Sequence, residues 1–194
     1  MSFVDKEFFT DVEEPVKRGV LWKTRCTVIG PMQYSNGKVI REYVKQQLAP
    51  LGIIIYDHYN KPFDNAFDEN EDARVKLAKW LENEQYDKIA EQRSVRLQDL
   101  LLIDRSDFII FHFIPGVVTV GSWEEFFLAN SLKRPIFFIC EGSKKLCPYW
   151  VFWTIPHKYI FGSVDEVIEE LRLIDSGKNL LDVERFKLLK MEFR

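Results

Sequence analysis

The segment Phe108–Ile114 constrains the fold of this chain more than any other. It reads Phe-Ile-Ile-Phe-His-Phe-Ile. A strand with one face in water alternates apolar and polar residues, whereas a run that is apolar at both parities is covered on both faces. Strands of that kind belong to parallel sheets sandwiched between helices. Arg25–Gly30 and Pro135–Cys140 have the same character, and Ile53–Tyr56 and Lys158–Phe161 read as shorter strands.

Helical spacing fills the intervals. Val39 to Leu51 carries Val39, Ile40, Tyr43, Val44, Leu48 and Leu51, and Gly52 stops it. Asp68 or Asn70 caps a helix through Val75, Leu77, Trp80 and Leu81. Another helix is expected between Ala90 and Arg105, and a further one over 122–132. Ser163 caps Val164–Leu173, with Glu166 three residues on as in a capping box. Alternating strands and helices of this kind predict a three-layer, Rossmann-like (flavodoxin-like) α/β domain with a parallel sheet of about five strands. Residues 1–22 read as an N-terminal extension, 23–176 as the domain and 177–194 as a C-terminal helical tail. Residues 57–92 are the least regular part, and 64–72 is an acidic stretch read as a solvated loop and helix start.

Composition removes several classes of function. A net charge of −3 supplies no basic field for nucleic acid. The longest apolar runs are too short to span a bilayer, and the opening residues, Met1 to Glu7, show no basic segment followed by an apolar core. A cytoplasmic protein with no membrane partner is expected. Cys26, Cys140 and Cys147 are odd in number and widely spaced, which favours free thiols over a disulfide framework. His58, His112 and His157 are scattered, so no metal site is read.

Chemistry concentrates around Gly121-Ser122-Trp123-Glu124-Glu125, between the Phe108 strand and the helix that follows. A carboxylate on the first turn of that helix sits at the carboxyl edge of the sheet, where open α/β sheets bind ligands. Asp99 precedes the same strand. Two acids converging from either side of one strand suit chemistry at a glycosidic carbon. Rival readings accompany each residue. Ser122-x-x-Glu125 is also a capping-box pattern, and Glu124 is a neighbouring candidate. Asp99 also fits an exposed acid paired with Arg96 or Arg105, and Asp107 a turn or capping residue at a strand start. Arg93 and Arg96 share a face with Asp99, to meet a phosphate or simply water. Tyr149, Trp150, Phe152 and Trp153 serve either to stack on a base or to fill a core or interface.

Three places together resemble the nucleoside 2-deoxyribosyltransferase family, which includes related nucleotide N-glycosidases. They are Gly30-Pro31-Met32 after the first strand, Asp99-Leu100 through Ser106-Asp107-Phe108, and Gly121-Ser122-x-x-Glu125-Phe-Phe-Leu-Ala129. The resemblance implies that Glu125 is the nucleophile and Asp99 the second acid. It implies substrate contacts from Gly30, Pro31, Met32, Tyr34, Asp107, Thr119, Gly121 and Ser122. No metal or organic cofactor is implied, and the partner is a small-molecule nucleoside or nucleotide. A homo-oligomer, a dimer or larger, is implied because family members build sites across subunits.

The expected activity is cleavage of the N-glycosidic bond of a (deoxy)nucleoside or nucleotide with transfer of the sugar to another base. Hydrolysis by a nucleotide N-glycosidase is the alternative, and a non-catalytic module binding a nucleotide or NAD derivative is a second. Departures from the family pattern accompany the resemblance. Phe127-Leu128-Ala129 replaces Gly-Tyr-Ala after the nucleophile position, Pro31 stands where nucleotide-cleaving relatives carry serine, and Thr119 lies where they keep a phosphate-contacting serine. Residues 57–92 exceed the usual loop.

Overall fold

The computed structural model describes residues 18–31, 36–62 and 71–179. Met32, Tyr34, most of the acidic stretch and the tail from residue 180 onward lie outside the described residues. Five parallel strands form one sheet in the order β2-β1-β3-β4-β5: β1 Arg25–Ile29, β2 Ile54–Tyr56, β3 Phe108–Phe113, β4 Ile136–Cys140 and β5 Ile160–Phe161. The helices are α1 Asn36–Leu48, α2 Glu71–Glu82, α3 Tyr86–Glu91, α4 Ser94–Arg105, α5 Val120–Ser131, α6 Tyr149–Thr154 and α7 Val164–Asp175. This is the three-layer, flavodoxin-like arrangement.

Strand parity assigns the two faces. Cys26, Val28, Phe108, Ile110, Phe137 and Ile139 point to one side, where they meet Val44 and Leu48 of α1 and Val167, Ile168, Leu171 and Ile174 of α7. Ile29, Ile109, Phe111, Ile136, Phe138 and Cys140 point to the other, against Ile103, Phe126, Ala129 and Val151. The side chains of Phe108, Phe111, Phe126, Phe137 and Phe138 are all essentially fully buried. Each contributes roughly 1.5–3 kcal/mol by leaving water. Phe111 stacks on Phe138 with centroids 5.0 Å apart, while Phe126 meets Phe111 edge-on.

Four local readings change. The body takes in residues before 23: Leu21 is fully buried, and its backbone N–H donates to Asp175 Oδ1 at 2.8 Å. The single helix expected over 90–105 is two, α3 and α4, interrupted at Gln92 (φ −84°, ψ 8°). The Trp-rich segment forms α6, entered through Pro148 (φ −56°, ψ 131°) and too short to show a periodicity. Helix α5 starts at Val120, two residues earlier than expected.

The chain leaves β1 toward β2 on one side and returns to β3 on the other. Their carboxyl ends therefore bound the switch point at which such sheets bind ligands. The strand ends are crowded there. A Cβ added at Gly30 would lie 3.2 Å from His112 Cβ and 3.3 Å from its carbonyl oxygen, so glycine lets the two strands close.

Candidate active site

Glu125 and Asp99 meet on one guanidinium. Arg96 Nη1 donates to Glu125 Oε1 at 2.5 Å and to Asp99 Oδ2 at 3.5 Å. Those two oxygens, sharing one nitrogen at 2.5 and 3.5 Å, are no more than about 6 Å apart. Arg96 Nε donates to Glu124 Oε2 and Nη2 to the Gly121 carbonyl, both at 2.7 Å. One side chain of α4 thus binds three groups along α5 as well as Asp99, one turn away on its own helix. Burial disfavours the charge on Arg96, but Glu125 and Glu124 outweigh it and raise its pKa.

Both acids are buried, Asp99 to 6% and Glu125 to 5% exposure. A buried carboxylate persists only when paired and hydrogen-bonded. Arg96 provides that for Glu125. Asp99 has a second cation, Lys61, whose Nζ lies 2.7 Å from Oδ1 and whose side chain is fully buried. His58 completes the group, with Nε2 at 3.7 Å from Glu125 Oε2. Its ring is buried, and among the described residues neither nitrogen has a hydrogen-bond partner. Burial pushes its pKa down to about 4; Asp99 pulls the other way, and Arg41 and Lys61 reinforce the fall. His58 is therefore neutral at pH 7, and its contact with Glu125 is not an ion pair.

Helix geometry separates the two readings of Ser122-x-x-Glu125. The N-cap of α5 is Thr119 (φ −136°, ψ 76°), without a side-chain cap bond. Ser122 is already inside the helix and its hydroxyl donates to the Gly30 carbonyl at 3.4 Å. Glu125 lies on the second turn, not the first, and faces Arg96 rather than its own N-terminus, so no capping box forms. Ser163 does cap α7, its Oγ accepting from Glu166 N, while the Glu166 carboxylate accepts from Gly162 N, one residue before the cap.

The other candidates divide by position. Gly30 and the buried Pro31 follow β1 at the carboxyl edge. Gly121 faces Arg96, with Nη1 3.6 Å from where a Cβ would stand. Thr119 lies at the start of α5, its carbonyl accepting from Trp123 N. Met32 and Tyr34 lie outside the described residues. Asp107 is elsewhere. Its carboxylate accepts from Arg25 N at 2.8 Å and pairs with the Arg25 guanidinium at 3.2 Å, at the amino end of β1. That end is five residues from Gly30, roughly 16 Å along the strand, and the bond is a clasp between β1 and β3. Tyr149 and Trp153 are exposed and meet edge-on, while Trp150 packs on Trp123 and Phe127.

Three site-edge residues carry no motif: His58 and Lys61, just past β2, and Arg41 on α1. A strand's carboxyl end was a signal for the first two. A further pair, His112 and Glu141, joins the ends of β3 and β4 through Nε2 and Oε2 at 2.7 Å. Burial lowers the His112 pKa, against the pull of Glu141. A cavity of about 640 Å³ opens beside it, lined also by Ile40, Ser143, Lys144 and Ser163. Among the described residues, no three His, Cys, Asp or Glu side chains are placed to hold a metal ion, and no helix is long and apolar enough to cross a membrane.

Solved structures resemble this arrangement of strands and helices. The 2-deoxyribosyltransferase from the psychrotolerant bacterium Bacillus psychrosaccharolyticus superposes with a TM-score of 0.51 over 84% of this chain and 96% of its own, at 13% identity. The chain shares that transferase's fold. A CMP N-glycosidase from Clostridium botulinum matches over 77% of this chain and 99% of its own, with a TM-score of 0.43 and 16% identity. No family model matches the sequence, and no curated protein does. At these identities the likeness is one of architecture, and the chemistry has to be argued from the side chains.

Proposed function

We propose that this chain is a nucleoside 2-deoxyribosyltransferase-like enzyme that breaks the N-glycosidic bond of a (deoxy)nucleoside or nucleotide and passes the sugar to another base. The observation that carries the reading is the convergence of Glu125 and Asp99 on Arg96 at the switch point of the sheet. Separations of about 5–5.5 Å suit a nucleophile and its partner acid in retaining glycosyl transfer, while inverting pairs stand about 6.5–9.5 Å apart. The bound of about 6 Å agrees with the first.

In this reading a Glu125 oxygen bonds to C1′ while the C1′–N bond breaks, its electron pair leaving with the base. Arg96 orients the carboxylate through Oε1. The departing base takes a proton from the Asp99–Lys61 pair. A second base then attacks C1′, the bond to Glu125 breaks, and the proton returns to the pair. Water in place of the base gives the hydrolase. His58, neutral and buried beside Glu125, adds no charge to the pair.

A non-catalytic nucleotide-binding module is favoured by one observation: both acids are paired with cations of the chain itself, Asp99 with Lys61 and Glu125 with Arg96. A single assay separates the three. Incubate the protein with nucleosides and 5′-monophosphates, with and without a free base, and follow base release by chromatography. Exchange that requires the acceptor marks a transferase, release without it a hydrolase, and binding without turnover the module. Glu125→Ala should abolish turnover and Asp99→Asn should slow base departure; full activity in Glu125→Ala removes the nucleophile.

A further inference from the structure

All three cysteines are buried free thiols, and two of them meet. Cys140 ends β4 and Cys147 follows the turn after it; both pack in one cluster with Phe138, Val151 and Ile155. Between them the chain doubles back. Gly142 takes φ +86°, Leu146 N donates to the Ser143 carbonyl and Cys147 N to the Lys144 carbonyl. The turn returns the chain to the end of β4, where the Cys140 and Cys147 thiols share a side-chain hydrogen bond. Cys26 packs in the cluster on the opposite face of the sheet, so each of the pair has one possible partner. Neither thiol has a part in the proposed glycosyl transfer.

A disulfide forms when a thiolate attacks an oxidised sulfur. Burial disfavours both thiolates and pushes the Cys147 pKa up to about 12, while Lys144 pulls it back. Attack is therefore slow. It starts at Cys147, which is 9% exposed, whereas Cys140 is fully enclosed.

We propose that Cys140 and Cys147 form a redox modification site, which an external disulfide of the glutathione type converts to an intrachain bond. The Cys147 sulfur gives up its proton and attacks one sulfur of the external disulfide, whose other half leaves as a thiol with that proton. The Cys140 sulfur then gives up its proton, attacks the Cys147 sulfur and expels the second half as a thiol. The protein loses two hydrogen atoms with their two electrons, and the external disulfide is reduced to two thiols. The new bond closes a ring over residues 140–147. That ring contains Glu141, the partner of His112, and Gly142, Ser143 and Lys144 of the cavity wall. Oxidation thus ties one wall of the cavity to the end of β4.

The full chain is equilibrated with mixtures of reduced and oxidised glutathione, trapped by alkylation in denaturant and digested with trypsin without reduction. Trypsin cuts after Lys144 and Lys145, between the two cysteines, so the bond leaves two peptides joined and lighter by two hydrogen atoms. Native protein should yield that joined pair with Cys26 alkylated, and dithiothreitol should separate it. The same equilibration in urea measures what closeness in sequence contributes alone. The native fold should raise the equilibrium constant for the bond about tenfold. A native constant equal to or below the urea value overturns the inference, as does a bond to Cys26 or alkylation of all three cysteines in the most oxidising mixture. Cys140→Ala should stop as a mixed disulfide at Cys147, and Cys147→Ala should leave Cys140 a thiol. A Cys147→Ala protein that takes glutathione at Cys140 as readily overturns the order of attack.

Discussion

Replacing His58 with leucine should make the protein less sensitive to acid. The ring is fully buried, and its pKa of about 4 lies well below the ordinary 6.5, burial being the main cause. Between those two values the unfolded chain binds a proton that the folded chain refuses. Stability therefore rises with pH across that interval: the contribution is whole above 6.5 and is lost as the pH falls toward 4. The full interval corresponds to roughly 3 kcal/mol, and at pH 5 about 2 kcal/mol of it is gone. Leucine cannot titrate, and the substitution removes no hydrogen bond recorded among the described residues, because neither ring nitrogen makes one there. Urea unfolding followed by tryptophan fluorescence at pH 8 and pH 5 measures the effect on each protein. The drop between the two pH values should be about 2 kcal/mol larger for the native protein than for His58→Leu. Equal drops in the two proteins, or an imidazole titration midpoint above about 6 in the folded state, would refute the argument.

Arg96→Met removes the cation shared by the two acids and should cost about 3 kcal/mol, the low end for breaking a buried pair because the guanidinium is partly exposed. Arg96→Lys should not restore the loss, since one ammonium cannot reach four acceptors on two helices; recovery of native stability would count against the fork geometry. Asp107→Asn should lower stability by about 1 kcal/mol and leave base release unchanged, because that clasp lies at the amino edge of the sheet; a large fall in turnover at unchanged substrate affinity would return Asp107 to the site. Assembly into a dimer or larger, implied by the family resemblance, should give a mass well above 23.0 kDa by light scattering; a clean monomer at micromolar concentration excludes it.

Burial on both faces leaves a plain mark in sequence, which is why β1, β3 and β4 were legible as continuous apolar runs. Helix α6 was not, because six residues give less than two turns of pattern. The convergence of Glu125 with Asp99 was expected from their order around β3, but the role of Arg96 was not, since it depends on how α4 docks against α5. The pattern Ser122-x-x-Glu125 reads identically as a cap and as a site, and only the start of α5 at Val120 separates the two. Arg41, His58 and Lys61 were hidden for a common reason. Polar side chains predict exposure; the end of β2 pointed toward His58 and Lys61 without showing that they are enclosed, and Arg41 carried no signal.

The four acceptors of Arg96 belong to two helices separated in sequence by β3. The spacing of the acids is consequently a property of helix docking, not of either helix. A partly folded molecule that keeps its sheet and its helical content but lets α4 slide against α5 would look intact by circular dichroism while having lost the cluster of Asp99, Arg96 and Glu125. On the proposed reading, turnover would then be a stricter gauge of native structure than any measure of secondary structure.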